Sequence, residues 1–234
     1  MGFGQLPYDV AHLLGGGVLL LSFMLLYQRR MAAVINSFAA QGTLLALAVA
    51  WQGWVQGAPG LYLTALVAFA VKGVLIPLAL RRLVRRFGLQ HGVESAMGIG
   101  AGMIAGVALV GVAILVVLPA TAGAGALARE DLAIALSVVL LGMLMMITRR
   151  NAVSQVIGLL SLENGLVLAA AGVHGLPLVV ELATAALVLA LAGVAAFFAF
   201  RLRDDFAGLD LALLHRHRGE AGDEAAPRAG GARE

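Results

Sequence analysis

Three ionisable side chains lie inside long apolar stretches of the sequence: Lys72, Glu163 and Glu181. In a helix that crosses a bilayer, an ionised group is unfavourable by about 3 kcal/mol on insertion scales, so such residues are rare and mark functional sites by default. Burial disfavours the charged form, and a group held near neutrality in this way can take up and release protons. The chemistry that these three residues indicate is a proton relay rather than a bond-breaking reaction.

Each of the three residues also has a structural explanation. Lys72 could extend its amine to the membrane surface or hold a static ion pair with a neighbouring subunit. Glu163 could be protonated and serve as a hydrogen-bond anchor between helices, and Glu181 lies so near the start of its span that it could reach the interface or a packing surface. Pro77 cannot donate to the carbonyl of Gly73, which predicts an interrupted hydrogen-bond ladder beside the Lys72 amine.

A basic turn, Arg149, Arg150 and Asn151, precedes the helix that carries Glu163, and Asn164 follows the carboxylate. The Asn164 amide is expected to donate to the ionised carboxylate. No His, Cys or carboxylate pair recurs at metal-ligand spacing, and no serine has a plausible triad. Because the chain has no Cys, thiolate zinc sites and iron–sulfur ligation within it are excluded. We therefore expect no metal and no cofactor in this chain.

The composition predicts an integral membrane protein that is all-α and polytopic. Of the 234 residues, 61% are hydrophobic and 12% charged, and the mean hydropathy is +0.96, whereas ordinary soluble domains are about 45–50% apolar. Seven apolar runs are long enough to span a bilayer as helices. The seven predicted spans are Val10–Tyr27, Met31–Trp54, Leu61–Leu80, Met97–Leu118, Leu132–Ile147, Val153–Val173 and Leu176–Phe200.

The arginines between these spans predict the orientation. The net charge is only +3, and the clusters at residues 29–30, 81–86, 149–150 and 201–203 all fall on one side, with Arg129 alone on the other. By the positive-inside rule the N-terminus is outside and the C-terminus in the cytoplasm. The first residues lack the basic region of a cleavable signal peptide, so the first helix is expected to stay in place. Clusters between spans indicate topology rather than nucleic-acid binding.

A weak internal repeat divides the chain. The segment Leu25–Arg30 matches Met145–Arg150, so spans one to three and five to seven could be parallel copies of one three-helix unit. Alternatively, any two hydrophobic hairpins with cytoplasmic arginines look similar. The predicted domains are a three-helix unit at 1–96, a linking helix and loop at 97–131, a second three-helix unit at 132–203 and a partly disordered tail at 204–234. In the linking helix, Gly98, Gly102 and Gly106 predict a close helix approach.

The second three-helix unit resembles a known family. Arg149-Arg150-Asn151, followed by Ile157-Gly158-Leu159 and Asn164, is similar to the second helix of subunit K of bacterial NADH:quinone oxidoreductase and to the related C-type component of multisubunit sodium/proton antiporters. The larger chain most resembles component E of hydrogenase-4. The resemblance implies one proton-passing carboxylate in each of two helices. Leu160 stands where the family has its first Glu, and Glu163 follows one turn later on the same face. Glu181 matches the second in kind but stands farther from the terminal arginines.

The resemblance implies a membrane-arm subunit of a complex-I-like oxidoreductase complex in the bacterial inner membrane. Antiporter-like and other membrane-arm subunits would be its partners, and nickel–iron and iron–sulfur centres would reside in cytoplasmic hydrogenase or related redox subunits. The chain itself would catalyse no redox reaction but would help to move protons or sodium. The alternatives are a purely structural scaffold subunit, a component of a cation/proton antiporter, and a free-standing transporter of a small solute.

Overall fold

The computed structural model describes residues 6–86, 95–121 and 126–172 of the chain, all within one compact unit, Met1–Leu189. Every regular element in these ranges is helical. The α-helices are α1 (Leu6–Tyr27), α2 (Met31–Gln56), α3 (Gly60–Ala68), α4 (Ile76–Arg86), α5 (Ile99–Ala120), α6 (Ala126–Thr148) and α7 (Ala152–Gly172), with a π-helical segment, Phe69–Leu75, between α3 and α4. The seventh predicted span, its Glu181 and the predicted tail at 204–234 lie outside the described residues.

Six helices in the described part are long and apolar enough to cross a membrane. They correspond to the first six predicted spans. The all-helical fold is therefore confirmed over these ranges, and six helices have the length and apolar composition of membrane spans. The largest difference is in the third span, which runs without a gap from Gly60 to Arg86 rather than ending at Leu80. Its last turns carry the arginines of the 81–86 cluster.

The third span contains a wide turn where the sequence predicted an interrupted ladder. Residues Phe69–Leu75 form a π-helix, and the Ile76 N–H donates to the carbonyl of Val71, five residues back. Pro77 follows directly, and a proline has no N–H to continue the α-helical pattern. The helix is therefore widened at Lys72 but not broken. Single π-helical turns of this kind occur frequently at functional sites.

Two antiparallel hairpins, α1–α2 and α6–α7, form the centre of the described bundle. Helix α1 packs against α6, and α2 packs against α7, while the continuous third span covers the outer side of α2. Helix α5 contacts α6 and α1 and is the least buried of the six spans. The chain ends α2 at Gly57, whose φ of 63° lies in the left-handed region that glycine adopts without strain.

The interior of the bundle is layered along the helix axes. One apolar cluster lies toward the arginine-bearing turns and includes Leu25, Phe38, Leu80, Met145 and Ile157. A second apolar cluster lies toward the opposite ends and includes Val18, Leu45, Ala65, Val138 and Leu168. Between these two clusters, α1, α2, the third span and α7 each carry at least one buried polar residue. We call this group of residues the polar layer. It consists of Ser22, Gln41, Lys72, Ser161, Glu163 and Asn164.

Glycines allow close helix contacts, although mostly not those that the sequence pattern predicted. A Cβ added at Gly142 would lie 2.6 Å from the backbone nitrogen of Leu162, so α6 and α7 touch through their main chains there. The sequence predicted that three glycines at the start of α5 allow another helix to approach. One of them, Gly106, packs against Phe23 of α1. A Cβ at Gly98 or Gly102 would meet no described atom within 4 Å, so no described helix packs closely at these two positions.

Candidate functional site in the polar layer

Lys72 and Glu163 form an ion pair at the centre of the bundle. The Lys72 Nζ lies 3.3 Å from the Glu163 Oε1, and the two side chains are 1% and 10% exposed. Lys72 belongs to the π-helical segment of the third span, and Glu163 lies about half-way along α7. The two residues that the sequence singled out separately, 91 positions apart in numbering (163 − 72), are thus direct neighbours.

The carboxylate of Glu163 has unused hydrogen-bonding capacity. Neither of its oxygens accepts a hydrogen bond from a described residue, and each is almost fully sealed from solvent. An ionised carboxylate can accept about four hydrogen bonds, and a buried charge is costly unless it is paired and hydrogen-bonded. The ion pair therefore supplies the compensation that this site has among the described residues.

Gln41 of α2 is the hub of the neutral part of the polar layer. Its Nε2 donates to the hydroxyl oxygens of Ser22, at 2.7 Å, and Ser161, at 3.0 Å. Its Oε1 accepts from the Asn164 Nδ2 at 3.2 Å. Ser22 in turn donates to the carbonyl of Val18. Gln41 thereby joins α1, α2 and α7, and it is fully buried.

The geometry corrects the role predicted for Asn164. The sequence predicted that its amide would donate to Glu163, its neighbour in the chain. The amide instead donates to Gln41, and it is Lys72 that stabilises the Glu163 carboxylate. Successive residues of an α-helix point about 100° apart, so adjacent side chains face different neighbours. Lys72 meets Glu163 on one side of α7, and Gln41 meets Asn164 on another.

Gly42 allows the π-helical segment to approach α2. A Cβ added there would lie 2.9 Å from the Lys72 carbonyl carbon and 3.0 Å from its Cβ, which is closer than real Cβ contacts. On the other helix, the corresponding Cβ at Gly73 would lie 3.1 Å from the Thr43 hydroxyl. The main chains of α2 and the third span therefore pass in direct contact beside the ion pair. A side chain at Gly42 would displace Lys72.

Arg149, which the sequence grouped with the relay as a supporting residue, holds the end of another helix. Its Nη2 donates to the carbonyls of Leu25, Leu26 and Gln28 at 2.9, 2.7 and 2.8 Å. These carbonyls end α1 and have no partner within the helix, so a cation there is favourable. Arg149 is 3% exposed; this burial lowers the pKa of its guanidinium, and the nearby charge of Arg29 lowers it further.

The other residues of the basic turn start α7. The Asn151 Oδ1 accepts from the Val153 N–H at 2.9 Å, and the Gln155 side chain donates to the Arg149 carbonyl at 2.9 Å. Side-chain oxygens at such positions satisfy the free N–H groups of a first helical turn. Arg150 is exposed. The predicted basic turn is thus an anchoring element. It lies about half the length of α7 away from the ion pair and is not part of it.

A second polar group lies at the opposite end of the bundle. His12 of α1 places its Nε2 3.0 Å from the Glu130 Oε2 and its Nδ1 3.9 Å from the Asp131 Oδ1. Gln52 donates to Asp131 at 3.1 Å, and Gln56 continues the chain to the Ala171 carbonyl. The sequence analysis did not predict this group. The second apolar cluster separates it from the polar layer.

The predicted relay residues therefore have different outcomes. Lys72 and Glu163 are brought together, and Glu181 lies outside the described residues. Gln41 was not predicted as a site residue. A signal was present in the sequence: Gln41 lies 11 residues after Arg30 and Ser161 lies 11 residues after Arg150, so both fall at a similar depth from the arginine-bearing turns. In the described ranges, no group of three or more His, Cys, Asp or Glu residues could hold a metal ion.

Comparison with known proteins adds a relative but no activity. The chain is similar to a protein of Mycobacterium tuberculosis named uncharacterized protein Rv0085, with 27% identity over 205 residues that cover 87% of this chain and 93% of the relative. No family model and no solved structure matches the chain. The similarity extends over nearly the full length of both proteins, so it concerns the bundle as a whole rather than a single pair of helices.

Proposed function

We propose that this chain is a membrane-arm subunit of a complex-I-like hydrogenase or oxidoreductase complex. In this proposal it helps to move protons, or sodium ions, when partner subunits transfer electrons. The observation that carries the proposal is the Lys72–Glu163 ion pair, buried in the middle of helices of membrane-spanning length. The resemblance to hydrogenase-4 component E and to subunit K supplies the complex, the redox partners and the bacterial inner membrane. Glu181 of the predicted seventh span remains a further relay candidate.

The ion pair has two protonation states that differ by one short transfer. A proton that moves from the Lys72 Nζ to the Glu163 Oε1 converts the charged pair into a neutral amine and a neutral acid, and the reverse move restores it. Burial disfavours the charged pair, while the attraction between the two groups at 3.3 Å favours it. Because these effects oppose each other, a change in a nearby charge can move the proton. This is the behaviour required of a relay.

The layers around the pair favour a subunit over a free-standing transporter. Apolar clusters lie on both sides of the polar layer along the helix axes. In this proposal a proton reaches Lys72 from the side, from a neighbouring polypeptide or from the part of the chain beyond the described residues. Antiporter-like membrane subunits would supply such a lateral path. The predicted orientation places the arginine-bearing turns in the cytoplasm, beside the redox subunits.

The test needs a variant that removes the relay but keeps the fold. Changing both residues, Lys72→Met with Glu163→Met, replaces the pair by side chains of similar size without leaving a lone buried charge. We expect complexes that carry both substitutions to assemble, to transfer electrons, and to move fewer protons per electron in inverted membrane vesicles. The matched control is Glu130→Gln, which removes an exposed carboxylate from the other end of the bundle.

Three outcomes would contradict the proposal. Normal proton movement in the double variant would make the chain a scaffold. Purification in mild detergent without iron–sulfur or nickel–iron subunits would remove the complex from the proposal. Solute movement by the purified chain alone in liposomes would assign it to the transporters.

A further inference from the structure

An open cleft of about 730 Å³ lies between α2 and α4 at the arginine-bearing end of the bundle. Its volume falls within the ~300–1,000 Å³ of typical ligand sites. Eight residues line it: Arg30, Met31, Ala32, Ile35, Asn36, Arg81, Val84 and Arg85. Three of these carry guanidinium groups, and Met31, Ile35 and Val84 form a buried apolar floor. The relay proposed above plays no part in this site.

The charge of the cleft is concentrated and of one sign. Arg81 is held by a hydrogen bond from its Nη2 to the Asn36 Oδ1 at 2.6 Å, which fixes its guanidinium over the cleft. All four acids in the described ranges lie elsewhere: Asp9, Glu130 and Asp131 near the opposite end, and Glu163 in the polar layer. Three guanidinium groups around one concavity attract an anion, and their planar donors match phosphate oxygens well.

The surface below the cleft is apolar and continues along the same helix face. Leu78 is 42% exposed and stands three residues before Arg81, which stands four residues before Arg85, so the three share one face of α4. Toward its middle, the third span exposes further apolar side chains, Val74 and Leu75. A phosphate site next to an exposed apolar strip has the shape of an amphiphile: a charged head above a hydrocarbon chain.

We propose that this cleft binds the phosphate headgroup of an anionic membrane phospholipid, with an acyl chain against the Leu78 face of α4. The position supports a lipid rather than a soluble phosphate, because Arg81 and Arg85 lie in the last turns of a helix of membrane-spanning length, where such a helix would reach the lipid phosphates. Basic clefts between membrane helices bind anionic headgroups in this way. The bound lipid would bridge α2 and α4 at the end of the third span.

The test compares arginines that line the cleft with an arginine on the same helix that does not. Full-length protein in detergent is mixed with phosphatidylglycerol or phosphatidylcholine of equal chain length, and the bound lipid is counted by native mass spectrometry. Loss of each cleft arginine should weaken phosphatidylglycerol binding about five-fold, so Arg81→Gln with Arg85→Gln should weaken it about 25-fold. Arg82→Gln is the matched control for Arg85→Gln, because Arg82 is exposed on the same helix but does not line the cleft.

Each remaining result decides the proposal. Arg85→Gln alone leaves the bond between Arg81 and Asn36 in place. Its thermal unfolding in phosphatidylcholine should match that of the unchanged protein, which separates the five-fold loss of binding from a disturbed fold. Inorganic phosphate should not displace the lipid. If it does, or if phosphatidylcholine binds equally well, the lipid assignment is overturned. An equal loss in the Arg82→Gln variant would show diffuse surface attraction and would also overturn it.

Discussion

Removing one partner of the Lys72–Glu163 pair should destabilise the protein far more than removing both. At 3.3 Å, two unit charges attract by about 5 kcal/mol at an effective dielectric constant of about 20. The cost of desolvating both groups offsets much of this attraction in the intact protein. In a single variant the attraction is lost while the remaining group stays buried, and breaking a buried pair in this way costs about 3–5 kcal/mol.

The assay is a double-mutant cycle with Lys72→Met, Glu163→Met and the double variant. Free energies of unfolding are measured by denaturant titration in mixed micelles. We expect each single variant to lose about 3–5 kcal/mol and the double variant to recover most of the loss, because two apolar side chains of similar volume replace the pair. The two substitutions should therefore be strongly non-additive, by about 3 kcal/mol or more.

A matched pair at the surface provides the control. His12 and Glu130 are also within contact distance, at 3.0 Å, but the Glu130 side chain is 59% exposed. Exposed ion pairs contribute about 0–1 kcal/mol, so Glu130→Gln should change stability little. Additive losses at Lys72 and Glu163, or single losses no larger than that of Glu130→Gln, would refute the argument that burial makes the central pair different.

Two further predictions concern the helices around the site. Arg149→Gln should lower the free energy of unfolding by about 3 kcal/mol, because three carbonyls at the end of α1 lose a charged donor. The control, Arg150→Gln at the exposed neighbouring residue, should change it by no more than about 0.5 kcal/mol. Equal effects of the two substitutions would contradict the anchoring role of Arg149. Gly142→Ala should lower the free energy of unfolding by about 1–3 kcal/mol, because its Cβ would lie 2.6 Å from the α7 backbone. The control is Gly16→Ala, whose Cβ would have no described atom within 4 Å; it should be neutral or raise the free energy of unfolding by about 0.5–1 kcal/mol.

The spans could be predicted because hydrocarbon thickness sets the length of a membrane helix. A run of about 20 apolar residues has one solution in lipid, so α1, α2 and α5 to α7 begin and end within a few residues of their predicted positions, except that α6 begins earlier. The end of the third span was predicted too early. Arg81 and Arg85 interrupted the apolar run, but a helix can continue into the interface because long basic side chains reach water there.

The pairing in the polar layer could not be predicted from the chain in the same way. Sequence position gives the depth of Lys72, Gln41 and Glu163, but the direction in which each points depends on how the helices are rotated against each other. Gly42 fixes how α2 and the third span are rotated against each other, because the missing side chain permits contact with the Lys72 backbone. The glycine pattern of α5 likewise does not say which helix it meets: among the described residues, Gly106 contacts α1 and α6, and no described atom lies beside Gly98 or Gly102.

The wide turn at Phe69–Leu75 also sets the angular phase between two parts of the third span. An α-helix advances about 100° per residue, and a π-helical turn takes up one residue more than an α-helical turn. Straightening this turn into a regular α-helix with every residue kept would therefore rotate everything beyond it by about 100° relative to everything before it, whereas deletion of one residue would restore the phase. With every residue kept, Lys72 and the pair Arg81 and Arg85 would no longer face α2 together. The wide turn accommodates the extra residue and so keeps the central amine and the terminal guanidinium groups directed at a common neighbour.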